Sequence, residues 1–63
     1  MIYKMGCIIR PVGPDGQEGP EGPLGVVVEA STAEDARRLV INSLMVDGFA
    51  VSQFCHVEVA RRI

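Results

Sequence analysis

The 63-residue chain carries six Lys and Arg against eight Asp and Glu, a formal net charge of −2, and is 48% hydrophobic. That length makes one domain, residues 1–63, and the charge is too small and of the wrong sign for a nucleic-acid groove. No apolar run reaches the ~20 residues that span a membrane, and the start, Met-Ile-Tyr-Lys-Met-Gly, lacks the pattern of a signal peptide.

A chain this short buries only about 60% of the surface its unfolded form exposes, so its stability is marginal without help. Two cysteines, Cys7 and Cys55, are too few for a disulfide framework and match no zinc spacing. The apolar fraction and positive mean hydropathy point instead to surface buried against a second chain. A cytoplasmic protein with free thiols is expected, with no cofactor, metal or membrane contact.

Residues 1–10 alternate. Tyr3, Met5, Cys7 and Ile9 point one way, and Ile2, Lys4, Gly6, Ile8 and Arg10 the other. Period two predicts a half-buried strand, ended by Pro11.

From residue 13 to 25 a glycine recurs at every third position, with three of the four prolines inside the run. Four triplets cannot hold a collagen-like triple helix, and the acidic run lacks the spacing of a phosphate-cradling loop. It reads as a solvated, partly extended hairpin loop over about residues 11–23.

Leu24–Ala30 predicts a second strand. Ser31-Thr32-Ala33-Glu34 fits a capping box with Ser31 as N-cap, opening a helix that runs to about Asp47 and stops at Gly48. Ala33, Ala36, Val40 and Leu44, flanked by Leu39 and Ser43, form its core stripe, while Ile41 and Met45 fall on the polar side. Val51–Ala60 predicts the last strand, with Cys55, Val57 and Val59 alternating against Phe54, His56 and Glu58.

Strand, strand, helix, strand with a right-handed crossover gives an α+β fold. The expected architecture is ββαβ, a three-stranded antiparallel sheet in order 2-1-3 with one helix on one face, half of a ferredoxin-like sandwich. One sheet face then has no covering layer, and the second strand is an edge without an inward charge to discourage pairing. Both features lead to the expectation of a homodimer or an equivalent protein partner. Charge is expected to separate along the sheet, with Asp15, Glu18 and Glu21 at one end and Lys4, Arg61 and Arg62 at the other, beside Glu34 and Asp35.

No catalytic, cofactor-binding or metal-binding residue is assigned. Cys55 and His56 are strand neighbours and point to opposite faces. Cys7 and Cys55 lie on the apolar faces of strands expected to be adjacent; one disulfide between them is open, and two buried inert thiols is the stronger reading. Glu29 and Glu58 lie on opposite edges.

The stretch Val26–Arg38, a strand followed by Glu-Ala-Ser-Thr-Ala-Glu-Asp-Ala-Arg-Arg, resembles small ββαβ accessory proteins of phages and mobile elements, including anti-CRISPR inhibitors. It also resembles small assembly subunits with half-ferredoxin folds. The resemblance implies a non-enzymatic, protein-binding role and assigns no residue.

The leading expectation is a binding protein, of the phage-inhibitor kind, that occupies a surface of a larger complex. The alternative is a structural or assembly subunit, and a third reading is a small enzyme built between two subunits with His56 and Glu58. The expected contact residues are Asp15, Glu18 and Glu21 in the loop, Val27 on the second strand, and Ile41 with Met45 on the helix.

Overall fold

The computed structural model describes residues 1–61. Strand β1 (Ile2–Pro11) is followed by β2 (Gly22–Glu29), helix α1 (Ala33–Val46) and β3 (Phe49–Arg61). The strands form one antiparallel sheet in the order β2-β1-β3. One helix packs on one face, as the ββαβ pattern predicts.

Alternation in β1 directs Tyr3, Met5 and Cys7 toward the helix side, and all three are buried. Ala36 and Val40 meet Tyr3 and Met5 from the helix. Val26 and Val28 of β2, and Phe54 and Val57 of β3, close the sides of this cluster. Burying one such side chain stabilises by about 1.5–3 kcal/mol, so a core this small holds the fold by a narrow margin.

Ala36 is fully buried, because a methyl group lets the helix sit close to the sheet. Leu39, expected on the flank of the core stripe, is 47% exposed, on the β2 side beside Val26 and Val28. Ser43, the other expected flank residue, is also exposed.

The N-cap is Thr32, not Ser31. Thr32 is extended (φ −136°, ψ 161°) and its hydroxyl oxygen accepts from the Asp35 amide at 3.1 Å. The shift has a cause in β2: the Ala30 N–H donates to the Met1 carbonyl at 3.0 Å. The ladder thus holds the chain through Ala30, and Ser31 makes the turn. Glu34 and Asp35 approach Arg38 at 3.5 and 3.7 Å. Gly48, at φ +88°, ends the helix, and its carbonyl accepts from the Val12 N–H at 2.8 Å.

The glycine-rich run is exposed over residues 14–18, as expected of a solvated, partly extended loop rich in turn residues, and its first half folds further into a miniature hairpin. Gly16 donates to the Gly13 carbonyl at 2.9 Å, and Gly13 donates to the Gln17 carbonyl at 2.7 Å. Pro14 and Asp15 hold the turn, and Gly16, at φ +85°, takes the left-handed position that closes a three-residue hairpin. Asp15 Oδ1 accepts from the Gln17 N–H at 3.1 Å. Val12 pairs with Glu18, and Gly19 donates to the Pro11 carbonyl at 2.8 Å.

The two ladders around β1 differ. With β2 the register is unbroken from Ile2 opposite Glu29 to Ile9 opposite Gly22. With β3 it slips three times. Ser52, Cys55 and Ala60 are surplus residues, which is why β3 has thirteen residues against ten in β1. Val51, Phe54, Val57 and Val59 consequently stand opposite Ile9, Cys7, Met5 and Tyr3. The expected alternation, with Phe54 beside His56 on the far face, is corrected: the bulge at Cys55 turns Phe54 to the helix side. Arg61 lies opposite Ile2, at the end of the sheet where Lys4 and the helix start also lie. Arg62 falls outside the described residues.

Candidate partner-binding surface

The face of the sheet away from α1 is built from the other residues of each strand. The register sets Val27, Lys4 and Glu58 in one row, Gly25, Gly6 and His56 in the next, and Pro23, Ile8 and Gln53 in a third. The rows are apolar or bare toward β2 and polar toward β3. Ile2 and Ile8 are half-buried, and Val27 is 67% exposed. No element of the described chain covers this face.

The glycines shape it. A side chain on Gly6 would meet the His56 imidazole at 3.1 Å, so the ring lies over that glycine. A side chain on Gly25 would meet nothing within 4 Å. A shallow depression of about 470 Å³ results, lined by Gly6, Ile8, Pro23 and Gly25, with Cys55 beside it. An apolar strip with a polar border on one side has the anatomy of a protein contact.

The strand edges follow from the same register. Ala30 donates to Met1 across the β1–β2 ladder. Alternation then turns the polar groups of Val28, Val26 and Leu24 toward β1, and those of Glu29, Val27 and Gly25 to the free edge. Pro23 occupies an outward position, where its missing N–H removes nothing from the ladder. On the other side of the sheet, three bulges interrupt the β3 edge.

A second apolar groove, about 390 Å³, lies at the C-terminal end of α1. Ile41, 37% exposed, and Met45, 65% exposed, line it with Val12, Phe49 and Val51. The expected helix pair thus gathers with the start of the loop hairpin. Val27 belongs to the other face, so the expected contact residues divide between two surfaces.

Two of the three loop acids take structural parts. Glu18 lies 2.9 Å from Arg10 Nε. The Nε is shielded from water and not aligned for a hydrogen bond, so the contact is an ion pair. Arg10 Nη1 donates to Ser52 Oγ at 2.7 Å. Asp15 caps the turn, and Glu21 is exposed ahead of β2.

The thiols differ in setting. Cys7 is buried and donates weakly to the Leu24 carbonyl at 3.6 Å. Burial, and secondarily the neighbouring Cys55, push its ionisation above the usual thiol range. Cys55, expected to be buried, is exposed because it is the surplus residue of a bulge. Its sulfur accepts from Gln53 Nε2 at 3.9 Å.

Sequence reasoning missed Ile8, Pro23 and Gly25 as surface-forming residues. The available signal was the pairing of Gly6 with Gly25, which needs the strand register as well as the strands. Among the described residues no helix is long and apolar enough to cross a membrane, and no three His, Cys, Asp or Glu side chains converge as a metal site. No protein-family model, curated protein or solved structure matches the chain.

Proposed function

We propose that the protein is a small non-enzymatic binding module that acts by occupying a surface of a larger protein complex, in the manner of a phage-encoded inhibitor in the host cytoplasm. The observation that carries the reading is the uncovered sheet face, where apolar Ile2, Ile8 and Val27 and bare Gly6 and Gly25 stand among the polar Lys4, His56 and Glu58. Domains ordinarily cover such a face with a second layer, and a partner surface supplies one. The resemblance of Val26–Arg38 to small accessory inhibitors agrees with this reading.

An assembly subunit would use the same face permanently. Solubility separates the two readings: an inhibitor is folded and soluble alone, whereas an assembly subunit aggregates without its co-expressed partner. The test is affinity capture from the native host with the wild type, Ile8→Glu and Met45→Glu. The sheet-face reading predicts that a specific complex is retained by the wild type and by Met45→Glu and lost by Ile8→Glu. Retention by Ile8→Glu with loss by Met45→Glu would transfer the site to the helix groove. Capture of no complex by the wild type would contradict the proposal.

A further inference from the structure

The β2 edge is regular along its whole length, and the β3 edge is interrupted three times. A regular edge is a template for another strand, and bulges spoil one. We propose that β2 pairs with β2 of a second copy across a two-fold axis, Gly25 opposite the second copy's Val27, giving a six-stranded antiparallel sheet. The inference concerns self-association and does not depend on the hetero-partner proposed above.

The outward residues of β2 are self-complementary in this register. Gly25 and Val27 each offer an N–H and a carbonyl, and every Gly25–Val27 pair exchanges both bonds. Glu29 donates to the carbonyl of the second copy's Pro23. Proline's missing donor therefore falls at the two ends of the seam, where each omission removes only one bond.

Shape and charge agree with the hydrogen bonding. The space over Gly25, empty to 4 Å, receives the second copy's Val27 side chain. Glu29 is the only charged residue in β2, and it faces a proline instead of a like charge. Setting Val27 opposite Val27 would place Glu29 over the open glycine and leave Pro23 unpaired.

The axis is perpendicular to the sheet, so both helices lie on one side. The two β1 strands are then three strand spacings apart, about 14 Å, against helix packing distances of about 8–10 Å. Leu39, 47% exposed on the β2 flank, points the apolar side of each helix at this gap. Both outer edges of the six-stranded sheet are bulged β3 strands, so assembly stops at two copies.

Sedimentation equilibrium of the purified wild type, from low micromolar to several hundred micromolar, is expected to show the mass rising from monomer toward dimer. Val27→Pro removes an outward N–H without touching the β1 ladder and is expected to give the monomer mass with the helix and sheet circular dichroism retained. Should Val27→Pro fail to fold, Val26→Cys in a Cys55→Ser background decides the question. Val26 stands opposite itself on the axis with Cα atoms about 4.5 Å apart, within disulfide reach. Oxidation is expected to give a covalent dimer there and none with Leu24→Cys. A wild type that is monomeric throughout, a folded Val27→Pro that remains dimeric, or a dimer that does not cross-link through residue 26 would overturn the proposal.

Discussion

Strand β1 has two antiparallel neighbours that pair with it differently. Beside β2 every residue has one partner from Ile2 to Ile9, and the ladder is regular. Beside β3 the pairing slips at Ser52, Cys55 and Ala60. Each slip adds local twist and leaves an unpaired residue. The first ladder ends in a regular edge, the kind that accepts a strand, and the second ends in a bulged edge, the kind that resists one. Edge chemistry is thus set by residue count as well as by residue type: β3 carries three valines, as β2 does, but is three residues longer than β1.

The sharpest break in this comparison comes from removing what both ladders share. Met5 is buried between Val26 and Val57, in a stretch that is regular on both sides. Met5→Ala is expected to cost about 2–5 kcal/mol, read from urea unfolding, and to leave many preparations unfolded at 37 °C.

The phase of β3 comes next. Because the Cys55 bulge turns Phe54 toward the core, Phe54→Ala is expected to cost about 2 kcal/mol, below the ~3–5 kcal/mol of a fully buried phenylalanine. His56→Ala, on the open face over Gly6, is expected to stay within about 0.5 kcal/mol. Equal losses for the two variants would mean that β3 alternates without a bulge.

The β2 side has its own check where the chain leaves the ladder for the helix. Thr32→Ala is expected to cost about 1 kcal/mol as an N-cap loss, with Ser31→Ala near neutral. The reverse order would place the cap at Ser31 and shorten the reach of β2 beyond Glu29.

The smallest effect lies where Cys7 faces both neighbours, Leu24 in one ladder and Phe54 in the other. Its thiol ionises later in the folded than in the unfolded chain, chiefly through burial. The unfolded chain therefore gains from ionisation first, and stability falls as pH rises past the ordinary thiol value of 9.0. Urea midpoints at pH 7, 9 and 10.5 are expected to decline over the upper interval, and Cys7→Ala is expected to flatten the decline.

Much of the architecture was legible because its signals are local. Alternation from Tyr3 to Ile9 and the alanine stripe of the helix each needed only a few neighbouring residues, and with the hairpin rule they gave the 2-1-3 order. The bulges were harder, since a surplus residue exists only relative to a partner strand. A trace was still present: Val51, Phe54 and Val57 are three apart, and residues three apart share a strand face only if one between them is surplus. The glycine run hid its hairpin for a similar reason. Its period of three obscured Pro14-Asp15-Gly16, whose turn chemistry decided the local structure, while Gly25 took its meaning from Gly6 across the sheet.

The central claim, that β2 is the pairing edge and β3 the closed one, is tested most directly by amide hydrogen exchange resolved by residue and followed with protein concentration. The amides of Leu24, Val26 and Val28 point into the β1 ladder and are expected to be protected at every concentration. Those of Gly25, Val27 and Glu29 point outward and are expected to be protected at several hundred micromolar and to lose protection on dilution. Free exchange of Gly25 and Val27 at all concentrations, or concentration-dependent protection along β3 instead, would contradict the account.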